Sequence, residues 1–144
     1  MTEKDIVKSL KRMHRFEVTA AEIYKRQMES SSCQAIKKEI TDAYRNERNH
    51  IEDLKRKIIE KGKRHSPFSY LFTIGGFFLG LFSSLSGLKR ALRMNISLEQ
   101  KAVLDYEKTL NTTPFDPETK ALIERILMDE EKHIELWKEL LREL

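Results

Sequence analysis

The chain has 144 residues, 35% of them charged, with a formal net charge of +4, the size of a single domain with one core. Five glycines and three prolines point to long helices and little strand. A modest charge spread along amphipathic patterns argues against nucleic acid as a partner. The single cysteine, Cys33, excludes an internal disulfide, a Cys-x-x-Cys redox pair and a rubredoxin-type iron site, so redox chemistry would need an external electron donor. Residues 1–10 carry charges and no apolar run, which predicts no secretory signal and an intracellular, cytoplasmic protein.

The periodicity predicts a first helix from Thr2 or Glu3 to about Glu29, with an apolar stripe of Ile6, Leu10, Met13, Ala20, Tyr24 and Met28. Glu17 falls on that stripe. A lone carboxylate facing a core costs several kcal/mol unless it is paired or bound to a metal. Ser30, Ser31 and Ser32 read as a turn that supplies an N-cap. A second helix, about Cys33 to Lys61, carries Ile36, Ile40, Ala43, Leu54 and Ile58 on one face, with Glu47 and His50 in the middle of it.

From His65 to Leu88 there is no Asp, Glu, Lys or Arg, and the stretch is bracketed by Lys61, Lys63 and Arg64 before and Lys89, Arg90 and Arg93 after. About 20 residues would suffice for a membrane span, but Pro67, Gly75, Gly76, Gly80 and several serines interrupt it. The expectation is an apolar crossover, about residues 65–84, containing a short helix on the outside of the molecule and climbing the bundle between helices two and three. Its candidate partners are a membrane face, a second subunit forming a homodimer, or an apolar substrate. His65 reads as a loop residue.

A third helix is expected from about Ser84 to Leu110, with Leu85, Leu88, Leu92, Ala102, Tyr106 and Leu110 on one face and Glu99 among them. Asp116 and Pro117 form a cap and first-turn pair. They open a last helix running to near Leu144, where Leu122, Ile126, Trp137 and Leu140 flank Glu130 and His133.

The two halves repeat one pattern. Glu17 lies 30 residues before Glu47, and Glu99 lies 31 residues before Glu130; a tyrosine follows each lone glutamate by seven residues, Tyr24 and Tyr106. In Glu47-x-x-His50 and Glu130-x-x-His133 the two side chains stand about 60° apart around a helix axis and point the same way. One glutamate from each of two helices, and Glu-x-x-His from each of the other two, form the ligand set of carboxylate-bridged di-metal four-helix bundles of the ferritin-like type. The metal ligands expected are Glu17, Glu47, His50, Glu99, Glu130 and His133. Carboxylate and imidazole suit two iron ions, with manganese as the alternative. Glu47 and Glu130 are the expected bridges. Tyr24 and Tyr106 are candidate hydrogen-bond donors to the carboxylates, and His14, one turn before Glu17, is a further candidate beside the site.

The run Leu79-Gly80, Ser83, Leu85, Gly87, Ala91, Glu99 and Tyr106 resembles the Leu-Gly-x-x-Ser-x-Leu-x-Gly, Ala, Glu, Tyr pattern of the demethoxyubiquinone hydroxylase (Coq7-type) family. His14-x-x-Glu17-x-x-Ala20-x-x-Ile23-Tyr24 is similar to that family's first-helix motif. The resemblance implies an iron-dependent monooxygenase that hydroxylates the ring of a quinone precursor with O2 and two electrons. It also implies a crossover resting on the inner face of the cell membrane. Asp105 stands where that family commonly has His. Rival readings are a rubrerythrin-like peroxide reductase or ferroxidase, and a metal-binding or assembly module without turnover. Against a rubrerythrin, no further glutamate stands one turn before Glu99, where Asn95 and Ile96 lie.

Overall fold

The computed structural model describes residues 2–63 and 69–144; His65 and Pro67 lie outside the described residues. Five helices follow one another: α1 (Glu3–Ser30), α2 (Gln34–Glu60), α3 (Ser69–Leu85), α4 (Leu88–Thr112) and α5 (Pro117–Arg142). This is the expected all-α, ferritin-like bundle, built from the hairpins α1–α2 and α4–α5.

The hairpins pack so that helices in contact run antiparallel. Between α1 and α4, Arg12 meets Asp105 and Thr109 while Gln27 meets Asn95. Between α2 and α5, Asn46 meets Asp129 while Lys61 meets Asp116. Two apolar clusters fill the interior. One joins Leu10, Met13, Leu54, Ile58, Ala102 and Ile126; the other joins Ile23, Ile36, Ile40, Leu92 and Trp137. The candidate ligands occupy the layer between them, so the polar site is closed above and below by hydrocarbon.

Helix α3 runs beside α1 in the same direction: Phe72 lies by Arg15, Gly76 by Thr19 and Glu22, Gly80 by Ile23 and Arg26, and Ser83 by Gln27. Its buried residues are Gly76, Gly80 and Ser83, a narrow seam on one side. A Cβ on Gly76 would sit 2.8 Å from the Thr19 carbonyl oxygen, and one on Gly80 would sit 2.8 Å from Arg26 Cβ. The glycines therefore set how closely α3 approaches α1. Two guanidinium groups frame the contact, Arg15 5.5 Å above the Phe72 ring and Arg26 4.8 Å above Phe77. On the side of α3 away from α1, Tyr70, Phe78, Leu79, Phe82 and Leu85 are exposed. Among the described residues, no helix is long and apolar enough to cross a membrane.

Two expectations are corrected. The third bundle helix begins at Leu88 rather than near Ser84, because α3 continues to Leu85 and Gly87, at φ 90°, turns the chain. Leu85 consequently ends α3 and is 79% exposed instead of joining the core face of the next helix. The serine turn also caps less than expected: the N-cap of α2 is Cys33, with no side-chain cap hydrogen bond. At α5 the cap forms as read, Asp116 accepting from the Thr119 amide at 2.9 Å with Pro117 in the first turn.

Candidate metal centre

Each bundle helix delivers its polar residues from an otherwise apolar stripe. Glu17 on α1, Glu47 and His50 on α2, Glu99 on α4, and Glu130 and His133 on α5 are all buried and meet in one layer. They form two overlapping groups whose donor atoms lie within 4.8 Å of one another: Glu17, Glu47, His50 and Glu130, and Glu47, Glu99, Glu130 and His133. Glu47 and Glu130 belong to both.

Both imidazoles turn Nδ1 into this layer. His50 Nδ1 lies 3.1 Å from Glu130 Oε1 and 3.2 Å from Glu17 Oε2. His133 Nδ1 lies 3.1 Å from Glu47 Oε1 and 3.2 Å from Glu130 Oε2. The tyrosines cross between the halves: Tyr24 of α1 donates to Glu99 of α4, and Tyr106 of α4 donates to Glu17 of α1. Spacing placed each tyrosine on its own helix's glutamate face; the fold hands it to the glutamate of the facing helix. His14 is buried one turn before Glu17 but belongs to neither group. Asp105 is on the surface, paired with Arg12 at 3.0 Å.

The burial of so many charges raises the question of what compensates them. Burial and the Glu17 charge push the Glu47 carboxyl up to about 8, and burial together with the Glu47, Glu99 and Glu17 charges pushes Glu130 up as well. For His133, burial works to lower the value, but the contacts with Glu130, Glu47 and Glu99 win and push it up to about 12. Burial and the neighbouring carboxylates keep both tyrosine hydroxyls protonated, Glu99 acting most on Tyr24 and Glu17 on Tyr106. Protons thus crowd a layer in which both oxygens of Glu47 and Oε1 of Glu130 accept no well-aligned hydrogen bond, the imidazole nitrogens 3.1 Å from Glu47 Oε1 and Glu130 Oε1 making ion-pair contacts only. Four carboxylates with two neutral imidazoles carry a charge that two divalent cations balance, and the oxygens without a hydrogen bond belong to the two glutamates shared by both groups. Hard carboxylate oxygens with imidazole nitrogens fit iron or manganese.

Three contributors escaped the sequence reading. Asp129 Oδ2 lies 3.3 Å from His50 Nε2, Trp137 Nε1 donates to the Tyr24 hydroxyl at 3.2 Å, and Gln27 pairs with Asn95 in reciprocal amide hydrogen bonds of 2.8 Å. Asp129 and Trp137 had a readable signal, standing one residue before Glu130 and one turn after His133. The Gln27–Asn95 pair had none, since only the packing of α1 against α4 joins them.

Comparison with known proteins leads in the same direction. The chain is similar to 3-demethoxyubiquinol 3-hydroxylase of Legionella pneumophila (strain Paris), 27% identical over 133 residues that cover 91% of this chain and 62% of that protein. A protein named NADPH-dependent 3-demethoxyubiquinone 3-hydroxylase, mitochondrial, from Caenorhabditis elegans is 27% identical over 124 residues, covering 83% of this chain and 66% of that one. The chain thus spans about three fifths of the bacterial relative's length. The model of the family described as ubiquinone biosynthesis protein COQ7 matches residues 5–136, a stretch that covers α2, α3 and α4, most of α1 and α5, and all six candidate ligands. With that match running through every helix that builds the centre, the chain belongs to the COQ7 family.

Proposed function

We propose that this chain is a di-iron monooxygenase that uses O2 and two externally supplied electrons to hydroxylate the ring of a membrane-dissolved quinone precursor. The observation that carries the reading is the buried layer of four carboxylates and two inward-turned imidazoles. Glu17 and His50 would hold one ion, Glu99 and His133 the other, and Glu47 and Glu130 both. Bound iron would supply the activation of O2 and the electron transfer that the side chains themselves cannot perform.

The remaining chemistry belongs to the chain. Tyr24 and Tyr106, each holding its proton, fix the orientation of Glu99 and Glu17, and Trp137 fixes Tyr24 in turn. The apolar clusters on either side exclude water from the layer. A pocket of about 210 Å³ opens between the α1–α2 and α3–α4 turns, lined among others by Gln27, Ile40, Ser83, Ala91 and Leu92. Asn95, hydrogen-bonded to the lining residue Gln27, stands one helical turn before Glu99. This pocket offers a quinone ring amide and hydroxyl groups, with apolar walls for the rest.

The exposed side of α3 supports a membrane surface as the docking partner. It carries no charge along its length, and lysines and arginines flank it in sequence at both ends, Lys61 and Lys63 before, Lys89, Arg90 and Arg93 after. That pattern suits apolar side chains in the acyl boundary and cations among headgroups.

The test is direct. Protein loaded with ferrous iron and supplied with O2, a chemical reductant and a short-chain demethoxyquinone is expected to yield a quinone one oxygen atom heavier, and to float with lipid vesicles unless Phe78 is replaced by Glu. Consumption of reductant or peroxide with the quinone unchanged would contradict the monooxygenase assignment; equal flotation of F78E would contradict the docking face.

A further inference from the structure

The two halves of the centre match in their ligands but differ in what stands behind the imidazoles. Behind His50, the Asp129 carboxylate lies 3.3 Å from Nε2. Asp129 is itself held, accepting from Lys132 Nζ at 2.9 Å and lying 3.5 Å from Asn46 Nδ2. The residue that corresponds to Asp129 in the other half is Asn46, since each immediately precedes the glutamate of a Glu-x-x-His pair. Asn46 directs its amide toward Asp129 and not toward His133. Among the described residues, every ion-pair contact of His133 is shortest at Nδ1, to Glu47, Glu130 and Glu99, none of them a carboxylate standing behind the ring as Asp129 does for His50, and the nearest ring is Trp137, with centroids 6.3 Å apart.

We propose that the two metal positions are unequal in affinity: Asp129 acts as a positioning residue for His50, so the position held by Glu17 and His50 fills first and the one held by Glu99 and His133 fills second. This rests on the di-metal reading of the site. A carboxylate that accepts the Nε2 proton fixes the tautomer in which Nδ1 has its lone pair free toward the carboxylate layer. It also raises the basicity of that nitrogen, and such a partner changes metal affinity by roughly 10- to 100-fold. His133 has no such residue behind it to fix its tautomer or raise the basicity of Nδ1. An amide at position 46 cannot replace the missing charge.

The experiment is a titration of metal-free protein with cobalt(II) under anaerobic conditions, followed by the optical bands of the bound ion. Two steps are expected, with affinities separated by at least about 10-fold. His50→Ala should remove the tighter step and His133→Ala the weaker. Asp129→Ala should weaken the tighter step by about 10- to 100-fold, and Asp129→Asn, which retains an acceptor without the charge, by less. Helical circular dichroism before titration verifies that each variant is folded. Two equal steps in the parent protein, or a tighter step that neither Asp129 variant changes, would overturn the proposal while leaving the di-metal reading intact. Failure of the parent to bind two ions would overturn both.

Discussion

The buried tyrosines and the helix cap show how single side chains commit the fold to its site. Tyr24 accepts from Trp137 and donates to Glu99, so one hydroxyl links α1, α4 and α5 at the metal layer. At the far end of the bundle, the Asp116 carboxylate accepts from the Thr119 amide and hydroxyl and from Lys61 Nζ at 3.0 Å. The Thr119 amide, followed by Lys61, holds this carboxyl below its ordinary value of 3.8. A carboxyl depressed in the folded state contributes stability in full above its unfolded pKa and loses it as the pH falls through the folded one. Asp116→Ala should therefore cost about 1 kcal/mol at neutral pH, a typical N-cap loss. Urea unfolding should show that gap closing as the pH drops below about 4. A gap that stays constant with pH would mean the cap does not act through its charge. The six candidate ligands were legible because each interrupts an apolar stripe. Asp129 had only its place one residue before Glu130 as a signal; it stands beside the stripe, and its role became visible when the fold brought it to His50.

Among the elements, α3 was the least legible. It is apolar nearly all round, so its sequence marks a segment that avoids water without showing which side meets the bundle. The side is decided by Gly76, Gly80 and Ser83, whose small size lets α3 settle on α1. The boundary with α4 was misplaced for a related reason: Ser84 and Leu85 continue either helix equally well, and only the positive φ of Gly87 separates them. The seam makes a prediction of opposite signs at adjacent positions. A Cβ on Gly75 meets nothing within 4 Å, whereas one on Gly76 meets the backbone of Thr19 at 2.8 Å. Gly75→Ala should stabilise the protein by up to about 1 kcal/mol through helix propensity. Gly76→Ala should destabilise it by roughly 1–3 kcal/mol, because the helix must lift. Thermal melts of the two variants decide it, and equal shifts would show that α3 is not seated through this seam.

At the scale of the whole molecule, the internal duplication explains why the bundle and its centre could be read together. Two similar hairpins, packed with antiparallel neighbours, bring matched Glu and Glu-x-x-His residues to one level. A layer of four carboxylates and two imidazoles there is costly to bury without cations. The tyrosine exchange between halves and the Asp129–Asn46 difference are products of that packing and needed the structure to be seen. Metal analysis of protein purified without oxygen and loaded with ferrous iron decides whether the layer is a metal site. About two irons per chain are expected, with Glu47→Ala and Glu130→Ala each losing metal at both positions because each glutamate belongs to both groups. A folded parent chain that retains no iron, and whose melting temperature iron does not raise, would contradict a metal site there.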